Sequence, residues 1–191
     1  MTETVRAHKG LGDLSEAALC RAAEALGTVL TPGDLVLLSG PMGAGKTTLT
    51  RAMATGLGVD RPDRVRSPTY NICVQHEGPR PLAHVDLFRL AQSDDEAPPS
   101  SSEGSVGAAA FEALGLQSIV EGSDGGFVVV IEWGELWADA PSERLSIVLS
   151  NADDDPSFER RNLEVEAVGE RHVARLQQWV SALQTRSTPV D

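Results

Sequence analysis

Gly40-Pro41-Met42-Gly43-Ala44-Gly45-Lys46-Thr47 satisfies the phosphate-binding pattern G-x-x-x-x-G-K-[ST] at every required position. Before it, Asp34-Leu-Val-Leu-Leu-Ser39 is a short apolar run of buried-strand type. After it, Lys46 to Leu57 carries Leu49, Met53 and Leu57 at i, i+4 and i+8, the spacing of a helix with one apolar face. The loop therefore sits between a strand and a helix, the context its chemistry requires. Lys9 and Lys46 are the only lysines in the chain, and by accident the pattern arises on the order of a few times in a thousand sequences of this composition.

A nucleoside triphosphate needs several donors aimed at its outer phosphates with no side chains in the way. Gly40, Gly43 and Gly45 let the backbone curl and present successive N–H groups, and the helix starting at Lys46 adds its positive end. Lys46 supplies a point charge to the β- and γ-phosphates, and the Thr47 hydroxyl is placed to ligate Mg2+. Contacts to ATP are expected from Gly40, Met42, Gly43, Ala44, Gly45, Lys46, Thr47 and Thr48.

The 191 residues are enough for one domain with a real core, and 41% hydrophobic with 23% charged is ordinary globular composition. Cys20 and Cys73 are too few for a disulfide framework and lack C-x-x-C spacing. No apolar leader opens the chain and no stretch approaches membrane-spanning length, so a cytoplasmic protein with no membrane partner is expected. A net charge of -12 disfavours a protein that lies along a phosphate backbone, which leaves any contact with nucleic acid indirect.

Along the chain, Thr4 to His8 reads as a short strand. Asp13 to Gly27 reads as a helix with Asp13 and Glu16 in capping-box spacing, Leu14 on its apolar face and Gly27 as its stop. Tyr70 to Gln75 and Leu82 to Leu87 suggest an antiparallel hairpin, and Arg144 to Leu149 with Asn162 to Val168 a second. Gln92 to Gly107 has four acids, no basic residue and repeated Ser and Pro, the composition of a disordered surface insertion. Ala108 to Leu116 and Glu170 to Leu183 are expected helices, and Phe127 to Trp133 a second buried strand. Together these predict an α/β protein of the P-loop NTPase kind, a mainly parallel central sheet with antiparallel flanking strands and helices on both faces.

Hydrolysis needs acids that hold magnesium and orient a water. Glu132 ends the Phe127–Ile131 run, where ligands gather in open α/β sheets, and Asp86 lies in the first hairpin between His84 and Arg89. Which acid is base and which holds the metal is open at this point. Thr69 suits a switch contact to the γ-phosphate, although Ser-Pro-Thr is also turn chemistry. His84 reads as a hydrogen-bonded histidine, either in the core or just behind the site, rather than a zinc ligand. Trp133 and Trp137 are core, or, for the tryptophan after the acid, part of the nucleotide site.

The chain carries Gly40 to Thr47, then Ser67-Pro-Thr-Tyr70, His84-Val-Asp-Leu-Phe-Arg-Leu90 and Ile131-Glu-Trp-Gly-Glu135, in that order. With these it resembles the bacterial TsaE family, the small P-loop ATPase of tRNA threonylcarbamoyladenosine synthesis. The resemblance implies ATP and Mg2+ binding by the loop, Thr69 as switch residue, and Asp86 and Glu132 as the magnesium-linked and water-activating acids. It further implies Trp133 as a functional aromatic, and work with TsaD and TsaB, with TsaC upstream, on adenosine 37 of tRNAs reading A-starting codons. Pro41-Met42 stands where the family usually has Asp-Leu, and Phe88 where it usually has Tyr. The competing reading is a P-loop small-molecule kinase. Such an enzyme wants an arginine-bearing lid, and Gln92 to Gly107 contains no arginine.

Overall fold

The apolar runs on either side of the glycine-rich loop are strands and helices of one sheet-centred unit. A computed structural model describes residues 4–68, 70–91, 105–120, 126–152 and 160–186. In chain order the elements are β1 (Arg6–Leu14), α1 (Glu16–Val29), β2 (Leu35–Ser39), α2 (Lys46–Leu57), β3 (Cys73–His76), β4 (Leu82–Asp86), α3 (Ala108–Ala113), α4 (Leu116–Val120), β5 (Val128–Glu132), β6 (Arg144–Asn151), β7 (Arg161–Val168) and α5 (Glu170–Arg186). The seven strands form one sheet in the order β1-β7-β6-β2-β5-β4-β3. The inner strands β6, β2, β5 and β4 run parallel, while β7, β1 and β3 join antiparallel.

β2, β4 and β5 are buried along nearly their whole length, as strands covered on both faces must be. Successive side chains alternate between two cores. Val36, Leu38, Leu82, Val128 and Val130 pack with α1, α2 and α5, whereas Leu37, Ala83, Val85, Val129 and Ile131 pack with Phe111 of α3 and Leu116 of α4. By the same alternation His84, Asp86 and Glu132 belong to the α2 face.

Several sequence expectations change. The first strand extends through Leu14, so Leu14 is not on a helix face and the helix begins one residue after Ser15. Ser15 caps it, its hydroxyl accepting from the Ala18 N–H at 3.3 Å, while Asp13 pairs with Arg160. Gly27 lies inside α1, and the helix continues to Val29. A Cβ there would strike the Met53 carbonyl, and one on Gly56 the Glu24 carbonyl, so these glycines let α1 and α2 cross closely. Arg80 then ties both helix ends: its guanidinium donates to the carbonyls of Gly27, Thr28 and Leu30 at 2.8–2.9 Å and of Gly56 at 2.5 Å.

The expected helix Ala108 to Leu116 is two short helices, parted at Gly115 with φ of 67°. Most of the acidic stretch, 92–104, lies outside the described residues. Its end does not behave as a surface insertion: Val106 is buried, and its N–H donates to the Leu136 carbonyl at 2.7 Å.

The start of β2 is anchored from the far end of the chain. Asp34 is fully buried, accepting from Arg171 Nε at 2.6 Å, Arg175 Nε at 2.9 Å and the Thr31 N–H at 2.7 Å. The Leu35 N–H donates to His172 Nε2 at 3.3 Å, so the first residue of the strand and the one before it are both held by α5. Replacing Asp34 by Ala leaves both arginines facing an apolar gap. Because they keep some solvent contact, the expected loss is about 3 kcal/mol, the lower end for a broken buried pair, measured by urea unfolding. A loss below about 1 kcal/mol would remove the anchor from the account of stability.

Burial pushes His172 below the ordinary imidazole value, against a smaller opposing pull from Asp34. The unfolded chain takes up this proton from about pH 6.5 downward, where the folded chain still declines it, so stability falls as pH falls through that window. His172→Gln keeps an acceptor for Leu35 and has no such proton to gain. The wild type is expected to lose more melting temperature than this variant between pH 7 and pH 5, and equal losses would place the titration elsewhere.

Candidate functional site

β2 ends at Ser39 and α2 begins at Lys46, so the six residues between them must turn the chain sharply above the carboxyl ends of the parallel strands. Gly40, Gly43 and Gly45 take φ values of 137°, 79° and 104°, conformations that strain any residue with a Cβ. A Cβ on Gly40 would also meet the Leu149 carbonyl of β6, whereas one on Gly43 would meet nothing within 4 Å. Gly40 thus seats the loop on the sheet, and Gly43 opens it toward the cleft.

A cavity of about 440 Å3 lies over this loop. It is lined by Met42, Gly43, Ala44, Gly45, Lys46, Thr47 and Thr48 from the loop and α2, and by Ser67, Asp86, Phe88, Glu132 and Trp133 from the neighbouring strand ends. Of the residues singled out in the sequence, Gly40 lies behind this lining and Thr69 lies outside the described residues. The other expected ATP-contacting and catalytic residues, Asp86, Glu132 and Trp133 among them, all line it.

The two acids sit side by side because β4 and β5 pair in parallel register with Asp86 opposite Glu132, and β5 pairs with β2 so that Glu132 is opposite Leu38. Each carboxylate is held. Glu132 Oε2 accepts from the Thr47 hydroxyl at 3.0 Å and its Oε1 lies 2.8 Å from His84 Nε2. Asp86 Oδ2 accepts from Ser67 Oγ at 2.5 Å and Oδ1 from the Phe88 N–H at 2.9 Å.

Lys46 is almost completely buried. Its Nζ donates to the carbonyls of Gly40 at 2.6 Å and Pro41 at 3.1 Å and sits 3.6 Å from the centre of the Trp133 ring. Burial pushes the ammonium below its ordinary value, and Glu135, Glu132 and Asp86 pull the other way. Trp133 itself has φ of 62° and packs on Phe88 with ring centres 4.8 Å apart. It belongs to the cleft, whereas Trp137 is core, stacked on Phe111 at 4.1 Å.

Sequence reasoning missed two supports. Ser67 holds Asp86, though the Ser-Pro-Thr motif drew attention to its threonine. Arg161 of β7 donates to the Ala44 carbonyl at 3.1 Å and the Gly43 carbonyl at 3.5 Å, from 117 residues away along the chain, with no local signal to announce it. It borders a second cavity of about 610 Å3 that shares Gly43, Ala44, Gly45 and Thr48 with the first. Arg89 donates weakly to the Tyr70 carbonyl at 3.4 Å and does not line the smaller cavity. Among the described residues no group of three or more His, Cys, Asp and Glu is placed to hold a metal by itself, and no helix is long and apolar enough to cross a membrane.

Fold and cleft define a class: a mixed α/β protein in which a glycine-rich loop, a helix-start Lys-Thr pair and two strand-end acids converge at the carboxyl edge of parallel strands. The particular family follows from comparison. The family model described as threonylcarbamoyl adenosine biosynthesis protein TsaE matches residues 14–162, and the chain belongs to the TsaE family, a family of tRNA threonylcarbamoyladenosine biosynthesis. It is 40% identical over 151 residues to the TsaE protein of Streptomyces coelicolor, covering 76% of this chain and 88% of the relative. To that of Bacillus subtilis it is 37% identical over 143 residues, 74% of each chain. The crystal structure of YdiB from Bacillus subtilis superposes with a TM-score of 0.67 at 26% identity, covering 95% of this chain and 98% of that one.

Lys46 lies between the loop carbonyls and the aromatic ring, with its charge facing the cleft acids. Lys46→Ala is expected to keep the fold and lose ATP binding by at least about tenfold, read by equilibrium titration with a fluorescent ATP analogue. Unchanged affinity in a folded variant would remove the loop as the phosphate site.

Proposed function

We propose that this chain binds ATP with Mg2+ and hydrolyses it, serving threonylcarbamoylation of adenosine 37 in tRNAs that read A-starting codons, with TsaD and TsaB as partners. The observation that carries this reading is the convergence of Lys46 and Thr47 with Asp86 and Glu132 in one cleft over a glycine-rich loop. Family membership supplies the pathway.

The donor set fits magnesium. A hydroxyl and two carboxylates are hard oxygen ligands, too few for a complete cage, which suits an ion that takes its remaining ligands from phosphate and water. Thr47 and Asp86 would hold it, with Glu132 beside them, and when bound it would neutralise charge building on the phosphates. The loop N–H groups and Lys46 position the triphosphate. Glu132 accepts the proton of the attacking water as its oxygen bonds to the γ-phosphorus and the bond to the bridging oxygen breaks, leaving ADP and phosphate. With Glu132 as base, Asp86 is assigned to the metal side.

Turnover by the chain alone is expected to be slow. Among the described residues no arginine lines the smaller cavity, and a missing arginine finger is worth roughly a thousandfold or more. The negative net charge suits docking onto basic tRNA-handling proteins better than onto tRNA, and two free cysteines suit a reducing cytoplasm.

Phosphate release from labelled ATP, followed with TsaB and TsaD titrated in, tests the proposal. At least a tenfold rise is expected with both partners present, absent in Glu132→Gln. Label passing to an acceptor instead of water would point to a kinase, and full activity in isolation would end the case for partner stimulation.

A further inference from the structure

We propose that His84 is a positioning residue that sets the plane of the Glu132 carboxylate for water activation. The inference rests on the ATPase reading of this cleft and asks what keeps its base in place.

A glutamate side chain does not fix its own carboxylate, because rotation about the last bond is broad. Something outside Glu132 must choose which oxygen faces the cleft. The parallel register supplies it: His84 lies two residues before Asp86 on β4, opposite Val130, which lies two residues before Glu132 on β5. From that level the imidazole reaches up and across one strand, with Nε2 2.8 Å from Glu132 Oε1. A carboxylate oxygen accepts, so Nε2 donates. The other oxygen, Oε2, is thereby turned to Thr47, at the start of α2 and the floor of the cleft.

Apart from Glu132, the surroundings of His84 give no reason for an imidazole. The ring is wholly buried, and its neighbours on the same sheet face include Leu82, Val128 and Val130. Its second nitrogen, Nδ1, is buried with no hydrogen-bond partner. A half-satisfied imidazole at a core position is less favourable than an aliphatic side chain of similar size. The one thing it does that leucine cannot is hold Glu132.

The test uses the full chain with ATP, magnesium, TsaB and TsaD in single-turnover phosphate release, alongside ATP affinity and melting temperature, for His84→Leu and His84→Gln, each alone and on Glu132→Gln. His84→Leu is expected to stay folded at the assay temperature, bind ATP within about threefold, and cleave it about 10- to 100-fold more slowly. Gln, whose amide can still donate to Oε1, is expected to recover most of that rate. On Glu132→Gln, neither change should slow the residual reaction further, since there is no base left to orient. Cleavage by His84→Leu at the wild-type rate overturns the proposal while leaving the ATPase reading intact. So does a fall that Gln does not rescue and that appears equally on both backgrounds, because a packing defect behaves that way. If the wild type cleaves no ATP, the ATPase reading fails first and His84 loses the role with it.

Discussion

Parallel register across β2, β5 and β4 is the constraint on which the rest of this molecule depends. With Leu38 opposite Glu132 and Glu132 opposite Asp86, three strands end within one residue of the same level. A slip of two residues would carry an acid into the core or lift it out of reach of Thr47, and a slip of one would send it to the opposite face. The glycine-rich loop needs that level too, since it leaves β2 one residue after Leu38 pairs. Sheet pairing and site geometry are therefore one requirement, and the apolar side chains beneath the acids enforce both.

The polar groups gathered there are unfavourable to the fold by themselves. Lys46, His84, Asp86 and Glu132 are all nearly inaccessible, and taking charges out of water is costly even when they are paired. The arrangement limits that cost by giving each carboxylate a donor on both oxygens and the ammonium two carbonyls and a ring face. The two cores on either side of the sheet carry the stability that the cleft gives up. The same place also carries strain: Trp133 holds a left-handed conformation directly after Glu132.

The C-terminal β7 and α5 support the site without entering the cleft. The family match ends at residue 162, yet beyond it lie His172, which meets Leu35, and Arg171 and Arg175, which hold Asp34. Trp179 is wholly buried and donates from Nε1 to the Ala22 carbonyl at 2.8 Å, joining α5 to α1. From the other end of the same segment Arg161 braces the loop carbonyls of Gly43 and Ala44. The strand that delivers the loop and the loop itself are thus both steadied by the last part of the chain.

What the sequence determined by itself was whatever a residue does for its own element. The loop was legible because its glycines, lysine and threonine act at fixed spacing on one turn. β2, β5 and α2 were legible because burial leaves periods of 2 and 3.6, and Glu132 because an acid ends an apolar run. Tertiary structure decided which of these elements are neighbours. Ser15 caps the helix in place of Asp13 because β1 runs on to Leu14 and Asp13 is paired with Arg160, a partner 147 residues away, and Gly27 sits inside its helix where α2 crosses. That His84 meets Glu132, Ser67 meets Asp86 and Arg161 meets Ala44 follows only from strand order. A pairing between distant residues leaves no periodic trace in either segment, and the shared sheet is what brings them within reach.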